Sequence, residues 1–478
     1  MLCKKVIFSL SFLILFITTS PIVFGQQFSS SVKKFITVQA DTIALTHALI
    51  IDGTGNTAKH DQTLIIINGK IIAVGDANKI AVPSSAKQID CTGKTIIPGM
   101  IMMHEHLFYG EYVAPQYLVM EMPVSFPQLY FAGGVTTMRT TGSAEPQTDL
   151  NIRNEIKAGE MVGPDIDVTG PYIERAGLPI PEMLYIKKPE DAAKEVNYWA
   201  DMGCTSFKLY MNLTRADAKA AIDAAHKRGL KVTGHLCSIT FREAADLGID
   251  DLEHGFYVSS DFEKNKKADE CNEAAQDVSI VQLNEESDSM KELIHYLIKK
   301  SVAITSTLPV FEPNAGREIF PGDGGDALVP EIKQEIENYY SVVSRRDSGA
   351  IKMFKKEMYW EKQFYDMGGK LLAGIDPTGE GRVIPGYADR HILELFIEAG
   401  FTIEQAVKIC SLNAAQYLKR DKEIGTIEVG KNADLVLING DLEKDIHAVR
   451  KTEIVFKNGV GFDSKKIFNS VKSMVGLH

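Results

Sequence analysis

The chain has 478 residues, of which 45% are hydrophobic and 24% are charged, proportions typical of globular proteins. Its length predicts more than one domain. The formal net charge of −11 and the lack of a basic block argue against a nucleic-acid partner, because phosphate backbones are bound by clustered Lys and Arg.

Residues 1–25 have the pattern of a secretory signal peptide. Lys4 and Lys5 precede an apolar run over residues 6–18, and this run is too short to span a bilayer. We therefore expect an exported protein, periplasmic or secreted, without stable membrane insertion after cleavage.

Five cysteines follow the predicted cleavage point, at wide spacings and without a CxxC pair. An odd number with these spacings does not fit a disulfide framework, despite the oxidising destination. We therefore expect buried thiols. The five residues are Cys91, Cys204, Cys237, Cys271 and Cys410.

Both ends of the chain carry the pattern of short β-strands. Residues 35–96 contain apolar runs separated by turn pairs, of which Asn68-Gly69 is a strong hairpin signal. Residues 423–463 show the same pattern. We predict that these two segments fold together into one small composite β-sandwich.

Residues 97–422 alternate strand and helix patterns, which predicts an α/β domain of eight βα units, a (β/α)8 TIM barrel. The helix over residues 215–228 is well delimited, because Thr214 can cap its start and Gly229 its end. The eight predicted strands cover residues 97–103, 134–140, 165–170, 205–210, 231–235, 251–255, 303–308 and 370–376.

Two connections in this region are long, residues 258–300 and residues 310–369. Connections of this length are usually lids or walls of a substrate site. A helical insertion without a role in the site is the alternative.

Six residues of metal-binding or acid–base chemistry lie at or near the C-terminal ends of five predicted strands, where barrel enzymes place their active sites. Two of them are two positions apart on one strand and so project to the same side. Four histidines and a carboxylate can bind a divalent ion and orient a water molecule. The six residues are His104, His106, Lys208, His235, His254 and Asp376.

Lys208 leaves two alternatives open. A neutral lysine amine can react with carbon dioxide to give an anionic carbamate that bridges two metals. Alternatively, Lys208 forms an ion pair with an acid such as Asp376, and the site holds one metal.

In their order along the chain, and with a split β-sandwich around them, these six residues resemble the amidohydrolase superfamily. More narrowly, the chain resembles the branch that contains imidazolonepropionase-like proteins and metal-dependent Xaa-Pro dipeptidases. Residues 425–436 are similar to the superfamily's C-terminal return to the sandwich. The resemblance covers residues 43–459.

The resemblance implies two divalent metal ions, with zinc as the expected identity, and an N6-carboxylated Lys208. Asp376 would act first as the general base and then as the general acid towards the leaving amine. One metal would be held by His104, His106, Lys208 and Asp376, and the other by Lys208, His235 and His254.

We therefore predict an exported metal-dependent amidohydrolase that cleaves an amide bond in a small molecule, either peptide-like, such as a dipeptide, or cyclic. A deaminase or lactonase-like hydrolase of a small cyclic metabolite is one alternative, and a non-catalytic metal-binding relative is another. The sequence leaves the oligomeric state open, a homo-oligomer included. The expected substrate contacts are Arg139, Arg175, Tyr210 and Tyr257.

Overall fold

The computed structural model of the chain describes residues 27–175, 177–343, 348–379 and 382–476, so the predicted signal peptide lies outside the described residues. The strands of these ranges are β1 (Ile36–Val38), β2 (Thr42–Ile50), β3 (Lys59–Ile67), β4 (Lys70–Asp76), β5 (Lys87–Asp90), β6 (Thr95–Pro98), β7 (Met100–Glu105), β8 (Phe108–Val113), β9 (Gln116–Glu121), β10 (Val135–Thr140), β11 (Asp165–Asp167), β12 (Ile173–Glu174), β13 (Leu184–Tyr185), β14 (Ser206–Leu209), β15 (Lys231–Gly234), β16 (Asp251–Glu253), β17 (Ala303–Ser306), β18 (Leu371–Ala373), β19 (Leu435–Ile438), β20 (Thr452–Lys457) and β21 (Val460–Asp463).

The α-helices of the same ranges are α1 (Ser30–Lys33), α2 (Ser125–Gly133), α3 (Pro146–Ala158), α4 (Pro189–Met202), α5 (Arg215–Lys227), α6 (Phe241–Leu247), α7 (Glu273–Gln282), α8 (Asp288–Lys299), α9 (Leu308–Phe311), α10 (Pro330–Val343), α11 (Ser348–Asp366), α12 (Tyr387–Glu398), α13 (Ile403–Lys408), α14 (Ala414–Tyr417) and α15 (Ser464–Ser470). None of these helices combines the length and the apolar composition that crossing a membrane requires.

Strands from both ends of the chain lie in one sheet. Within the described ranges this sheet has nine strands, in the order β1-β21-β20-β19-β6-β2-β3-β4, with β5 beside β2. The two ends meet where β6 pairs antiparallel with β19. Their contact is stabilised by fully buried aliphatic and aromatic side chains, among them Leu45, Leu435 and Phe456.

The turn chemistry of this sheet follows the sequence. Asn68 and Gly69 both have positive φ, 48° and 78°, and join the antiparallel strands β3 and β4, so the predicted hairpin is confirmed. Asn458 and Gly459 repeat the arrangement, with φ of 47° and 78°, between β20 and β21.

The first central strand differs from the prediction. Residues 97–103 were expected to form one strand, but the chain is divided at Gly99 between β6, in the terminal sheet, and β7. Gly99 donates its N–H to the Asp434 carbonyl at 2.8 Å. A Cβ at this position would lie 2.2 Å from Thr136 Oγ1, so the close approach of these segments requires glycine.

The remaining central strands lie where the sequence predicts them and pair in parallel. In the described ranges they form two sheets, β11-β10-β7 and β13-β12-β14-β15-β16-β17-β18, the second including the unpredicted short strands β12 and β13. The backbone N–H of Gly170 donates to the Ser206 carbonyl at 2.9 Å, and the backbone N–H of Asp376 donates to the His104 carbonyl at 3.0 Å. Backbone hydrogen bonds therefore connect the two sheets at two places, between the segment after β11 and β14 and between the segment after β18 and β7. Helix α5 begins at its predicted residue, capped by Thr214.

The prediction for two of the five cysteines is wrong. Cys91, Cys204 and Cys410 are buried free thiols, as expected, but Cys237 and Cys271 form a disulfide, with their Cα atoms 4.9 Å apart. The segment after β16 folds back to the end of β15, which a separation of 34 residues along the chain does not reveal.

The long connections build part of the site's surroundings. The first contains α7 and α8, and the second contains α10 and α11. Val258 from the first, together with Val310 and Phe311 from the second, lines a cavity above the strand ends. A further wall comes from the hairpin β8–β9, which follows β7 directly and was not predicted.

A buried ionic cluster holds the segment after α9. His391 on α12 lies 2.7 Å, through Nε2, from Glu312 Oε2, and its Nδ1 contacts Glu394. Arg317 and Arg450 donate to the remaining oxygens of these two carboxylates, Glu312 Oε1 and Glu394 Oε1. Burial alone would lower the pKa of His391, but the hydrogen bonds to the two glutamates outweigh it and raise that pKa to about 9.

Protonated His391 therefore stabilises the fold at neutral pH. Because its pKa in the folded state lies above the ordinary value of 6.5, the stabilisation is complete below that value and is lost as the pH rises through about 9. We expect the free energy of unfolding, measured by urea denaturation, to fall by about 2–3 kcal/mol across this window.

The matched variants are His391→Gln and His295→Gln, the latter on the exposed surface of α8. The first should flatten the alkaline decline in stability and the second should preserve it. An undiminished decline in His391→Gln would show that another group titrates.

Candidate active site

The structure brings the six predicted residues together at the C-terminal ends of the parallel strands. Ligand atoms of His104, His254 and Asp376 all lie within 4.8 Å of one another. His106 Nε2 is 3.2 Å from Asp376 Oδ1, and Lys208 Nζ is 3.4 Å from His104 Nε2. The ring of His235 lies 4.6 Å, between centroids, from that of His254.

Two of these residues leave their strands in an uncommon backbone conformation. His254 and Asp376 have φ of 67° and 51°, in the left-handed region that non-glycine residues rarely adopt. This turn follows β16 in one case and β18 in the other, and it directs the side chain towards the cluster. Local strain of this kind is concentrated at functional sites, where surrounding structure holds it.

Hydrogen bonds beneath the cluster orient the histidines. His104 Nδ1 donates to Glu253 Oε2 at 2.6 Å, and His106 Nδ1 donates to the Gly142 carbonyl at 3.0 Å. In both rings Nε2 is therefore the unprotonated nitrogen, and its lone pair faces the cluster. His254 Nδ1 lies 2.9 Å from Thr307 Oγ1.

Arg139 supports this layer rather than the substrate side. Its guanidinium is buried below the histidines, where Nη2 donates to Asp251 and Glu253, both at 2.8 Å. Its Nε donates to the Met103 carbonyl at 2.8 Å. This buried position contradicts the prediction that Arg139 contacts the substrate. Arg139 instead orients Glu253 by a hydrogen bond, and Glu253 in turn orients His104.

The electrostatics of the cluster favour neutral imidazoles. Burial lowers the pKa values of His104, His106 and His254 and lowers that of His235 to about 3. Burial likewise lowers the pKa of Lys208 to about 8. Unprotonated nitrogen atoms are the form in which these side chains can bind a metal.

Asp376 remains ionised in these surroundings. Burial alone would raise the pKa of this carboxyl, but His104, His106 and His254 outweigh that effect and lower it well below its usual range. Its Oδ1 also accepts the Thr378 hydroxyl at 2.9 Å. The site therefore contains one carboxylate among neutral nitrogen donors.

All residues of the cluster except the fully buried His104 line a cavity of about 490 Å³. Tyr210 lines the cavity, as expected, and its ring lies 5.1 Å from that of His235. Arg175 instead pairs with Asp217 at 2.7 Å. Tyr257 stacks on Phe311 at 4.0 Å, which is itself part of the wall.

Several lining residues were not anticipated from the sequence. Tyr172 Oη lies 3.3 Å from His106 Nε2, and its ring lies 5.2 Å from Lys208 Nζ. Tyr112 and Tyr117 reach the cavity from the hairpin β8–β9. Arg382 also lines the cavity. Tyr172 and Arg382 come from loops, which strand periodicity does not place, and Tyr112 and Tyr117 come from the hairpin that was not predicted.

The donor set fits a divalent metal ion. Neutral imidazoles and a carboxylate suit zinc and the neighbouring first-row metals. The unprotonated Nε2 atoms of His104 and His106 converge on the buried carboxylate of Asp376. Among the described residues, Lys208 is the only Lys or Arg side chain beside them.

Comparison with known proteins agrees with this geometry. Residues 95–314 and 366–467 match the Amidohydrolase family, and the chain belongs to that family. The superfamily predicted from the sequence is therefore confirmed.

Individual relatives share parts of the chain. Imidazolonepropionase from Psychromonas ingrahamii is 33% identical over 108 residues, 21% of this chain and 27% of the relative. Enamidase from Eubacterium barkeri is 26% identical over 206 residues, 40% of this chain and 48% of the relative. The chain thus spans less than half the length of these curated relatives.

Solved structures extend the likeness in fold. A Xaa-Pro dipeptidase with bound methionine in its active site superposes with a TM-score of 0.65 at 18% identity, over 88% of this chain and 100% of the other. Molinate hydrolase superposes with a TM-score of 0.64 at 17% identity, over 92% and 99%.

Proposed function

We propose that this protein is an exported metal-dependent hydrolase that cleaves an amide carbon–nitrogen bond in a small, carboxylate-bearing substrate, either dipeptide-like or cyclic. The observation that carries the proposal is the convergence of six residues, of which His106, Lys208, His235, His254 and Asp376 line one cavity and His104 lies in contact with them. The names of the relatives, imidazolonepropionase, enamidase and Xaa-Pro dipeptidase, support it.

Two metal ions would be held by these residues. Lys208, carboxylated on Nζ, would be a ligand of both ions. Bound divalent ions supply Lewis acidity and lower the pKa of a water molecule. The lowered pKa of the Lys208 amine supports this assignment, because the neutral amine is the form that reacts with carbon dioxide. The first set would be His104, His106, Lys208 and Asp376, and the second Lys208, His235 and His254.

The proton would be carried by Asp376. Its carboxylate lies in the cluster and lines the cavity, so it can take a proton from the attacking water and return it to the leaving nitrogen. Aromatic side chains surround this position, among them Tyr172, Tyr210 and Phe311. They would exclude bulk water from the reacting atoms.

The architecture proposed around the site is a closed (β/α)8 barrel over residues 97–422. The hydrogen bonds that connect the two parallel sheets at two places support closure. Residues 35–96 and 423–463, whose strands share one sheet, would form the accessory β-sandwich. The Cys237–Cys271 disulfide supports export, because disulfides persist in oxidising compartments.

Arg382 is the residue that we assign to the substrate carboxylate. Among the described residues that line the cavity, Arg382 and Lys208 are the only Arg and Lys side chains, and Lys208 lies at the floor. Arg382 Nε donates to the Gly379 carbonyl at 2.8 Å, and Nη1 donates to Asn314 Oδ1 at 3.0 Å. These bonds orient the guanidinium at the rim, where it can clamp a carboxylate.

Arg382→Gln is expected to lower kcat/KM about 100-fold for substrates with a free carboxylate, mainly through KM. The same substrates with a C-terminal amide should be hydrolysed at equal rates by the parent and the variant. The control is Arg228→Gln, which removes a guanidinium paired with Asp201 outside the cavity lining. Equal losses on both substrate forms would exclude the carboxylate contact.

The function itself is tested with zinc-loaded parent protein and a panel of dipeptides, N-acyl amino acids, cyclic amides, lactones and aminated heterocycles. We expect turnover of amides without release of ammonia. Turnover confined to lactones, or ammonia release, would indicate the lactonase or deaminase alternative. Inactivity on the whole panel with metal fully bound would indicate a non-catalytic protein.

A further inference from the structure

A second group of buried polar side chains lies on α11, behind the segment that follows His254. Glu357 and Glu361 are one helical turn apart and therefore project from the same side of the helix. Their exposed fractions are 0% and 1%. Ser306, the last residue of β17, is 0% exposed and lies beside the Glu361 carboxyl.

The oxygens of this group are poorly satisfied. Glu357 Oε1 accepts the Phe256 N–H at 2.7 Å. Among the described residues, Glu357 Oε2 and both oxygens of Glu361 have no donor other than the Ser306 hydroxyl, which lies beside Glu361. Buried polar atoms in folded proteins are nearly always paired, so these three carboxylate oxygens indicate a further ligand.

The two carboxylates converge on one point. A Cβ built on Gly255 would lie 1.9 Å from Glu357 Oε1 and 2.7 Å from Glu361 Oε1. Gly255 has a φ of 62°, and it directly follows His254. The absence of a side chain at this residue allows both carboxylates to lie against the backbone that follows β16.

The charge of the pair is not balanced by the protein. No Lys, Arg or His within the described ranges forms an ion pair with Glu357 or Glu361, and burial together with mutual repulsion raises the pKa of Glu357. Two adjacent buried carboxylates are stable only if they bind protons or a cation. A divalent cation would balance both charges at once.

We propose that Glu357, Glu361 and Ser306 form a structural binding site for one divalent cation of the hard, oxygen-preferring class, with calcium favoured. All the available donors are oxygens, as calcium prefers, and calcium accepts an irregular arrangement of ligands, whereas magnesium demands near-ideal octahedral geometry. The ion would fasten α11 to the ends of β16 and β17, which precede His254 and Thr307. The site is separate from the proposed catalytic metals.

The experiment measures calcium and zinc per chain in zinc-loaded protein after equilibration with calcium chloride and removal of free ions. The test variant is Glu357→Gln/Glu361→Gln. The matched control is Glu331→Gln/Glu335→Gln, the same change at the same spacing on the exposed surface of α10. We expect one calcium in the parent and the control, none in the test variant, and equal zinc in all three.

Terbium provides an independent readout, because buried Trp360 lies between the two glutamates along α11 and can sensitise its luminescence. Zinc-loaded parent protein should show this signal, and calcium should both displace it and raise Tm. The proposal is overturned if the parent binds no calcium, shows no sensitised terbium and has a Tm independent of calcium. The glutamates would then hold protons. These parent measurements decide the matter even if the test variant does not fold.

Discussion

Asp376→Asn is expected to lower kcat at least about 1,000-fold, the largest catalytic effect of any isosteric change in this chain. The amide keeps the volume of the side chain and its hydrogen bond to the Thr378 hydroxyl, but it cannot take up a proton from water. It also removes the one carboxylate from the nitrogen cluster. Steady-state kinetics on the best amide substrate, with metal content measured in parallel, gives the result.

The matched control for this change is Asp223→Asn on the exposed surface of α5, where the carboxylate pairs with Lys219. It should retain parental kinetics. If Asp376→Asn loses less than about 10-fold in kcat while binding metal normally, another group must carry the proton.

Arg139→Met is expected to lower the free energy of unfolding by about 3–5 kcal/mol, because it leaves two buried carboxylates without their cation. Asp251 and Glu253 are both 0% exposed, and both accept from the same guanidinium nitrogen. Urea denaturation of the metal-free proteins measures the loss. Since Glu253 orients His104, metal affinity should fall as well.

A double variant separates the buried ion pair from a substrate contact. Arg139→Met/Asp251→Asn removes one of the unpaired charges and should recover part of the lost stability. If Arg139→Met is fully stable and its only defect is a raised KM, the result would support the prediction from the sequence that Arg139 contacts the substrate.

The positions of the six clustered residues could be predicted from the sequence for a simple physical reason. His104 and His106 share one side of a strand because side chains alternate, and parallel strands end at one edge, which collects Lys208, His235 and His254 there. Each residue occupies the end of a strand that apolar periodicity alone locates. The same periodicity identified the strands of the terminal sheet.

Features that depend on contacts distant in the chain could not be predicted. The partners of Arg139 lie 112 and 114 residues away, so a buried ion pair and a substrate clamp look alike in the sequence. The Cys237–Cys271 bond joins two loops. Gly99 divides a continuous apolar run because Thr136 packs against it, a contact that no local pattern records.

Substrate-facing residues were the least accessible to sequence reasoning. Tyr112 and Tyr117 lie on a hairpin inserted directly after His106, whose polar and aromatic residues carry no strong turn signal. Arg382 lies in the connection after β18 and is oriented by Asn314 from another loop. Loop conformation is set by such tertiary contacts more than by local propensity.

The central claim is a pair of metal ions joined through Lys208, and the metal content per chain tests it most directly. The measurement compares purified parent protein, Lys208→Ala and the control Lys231→Ala, which changes a lysine at the opposite end of a neighbouring strand. The account predicts about two equivalents in the parent and the control, falling to about one or less in Lys208→Ala. One equivalent in all three proteins would contradict the bridged pair and leave a single-metal site.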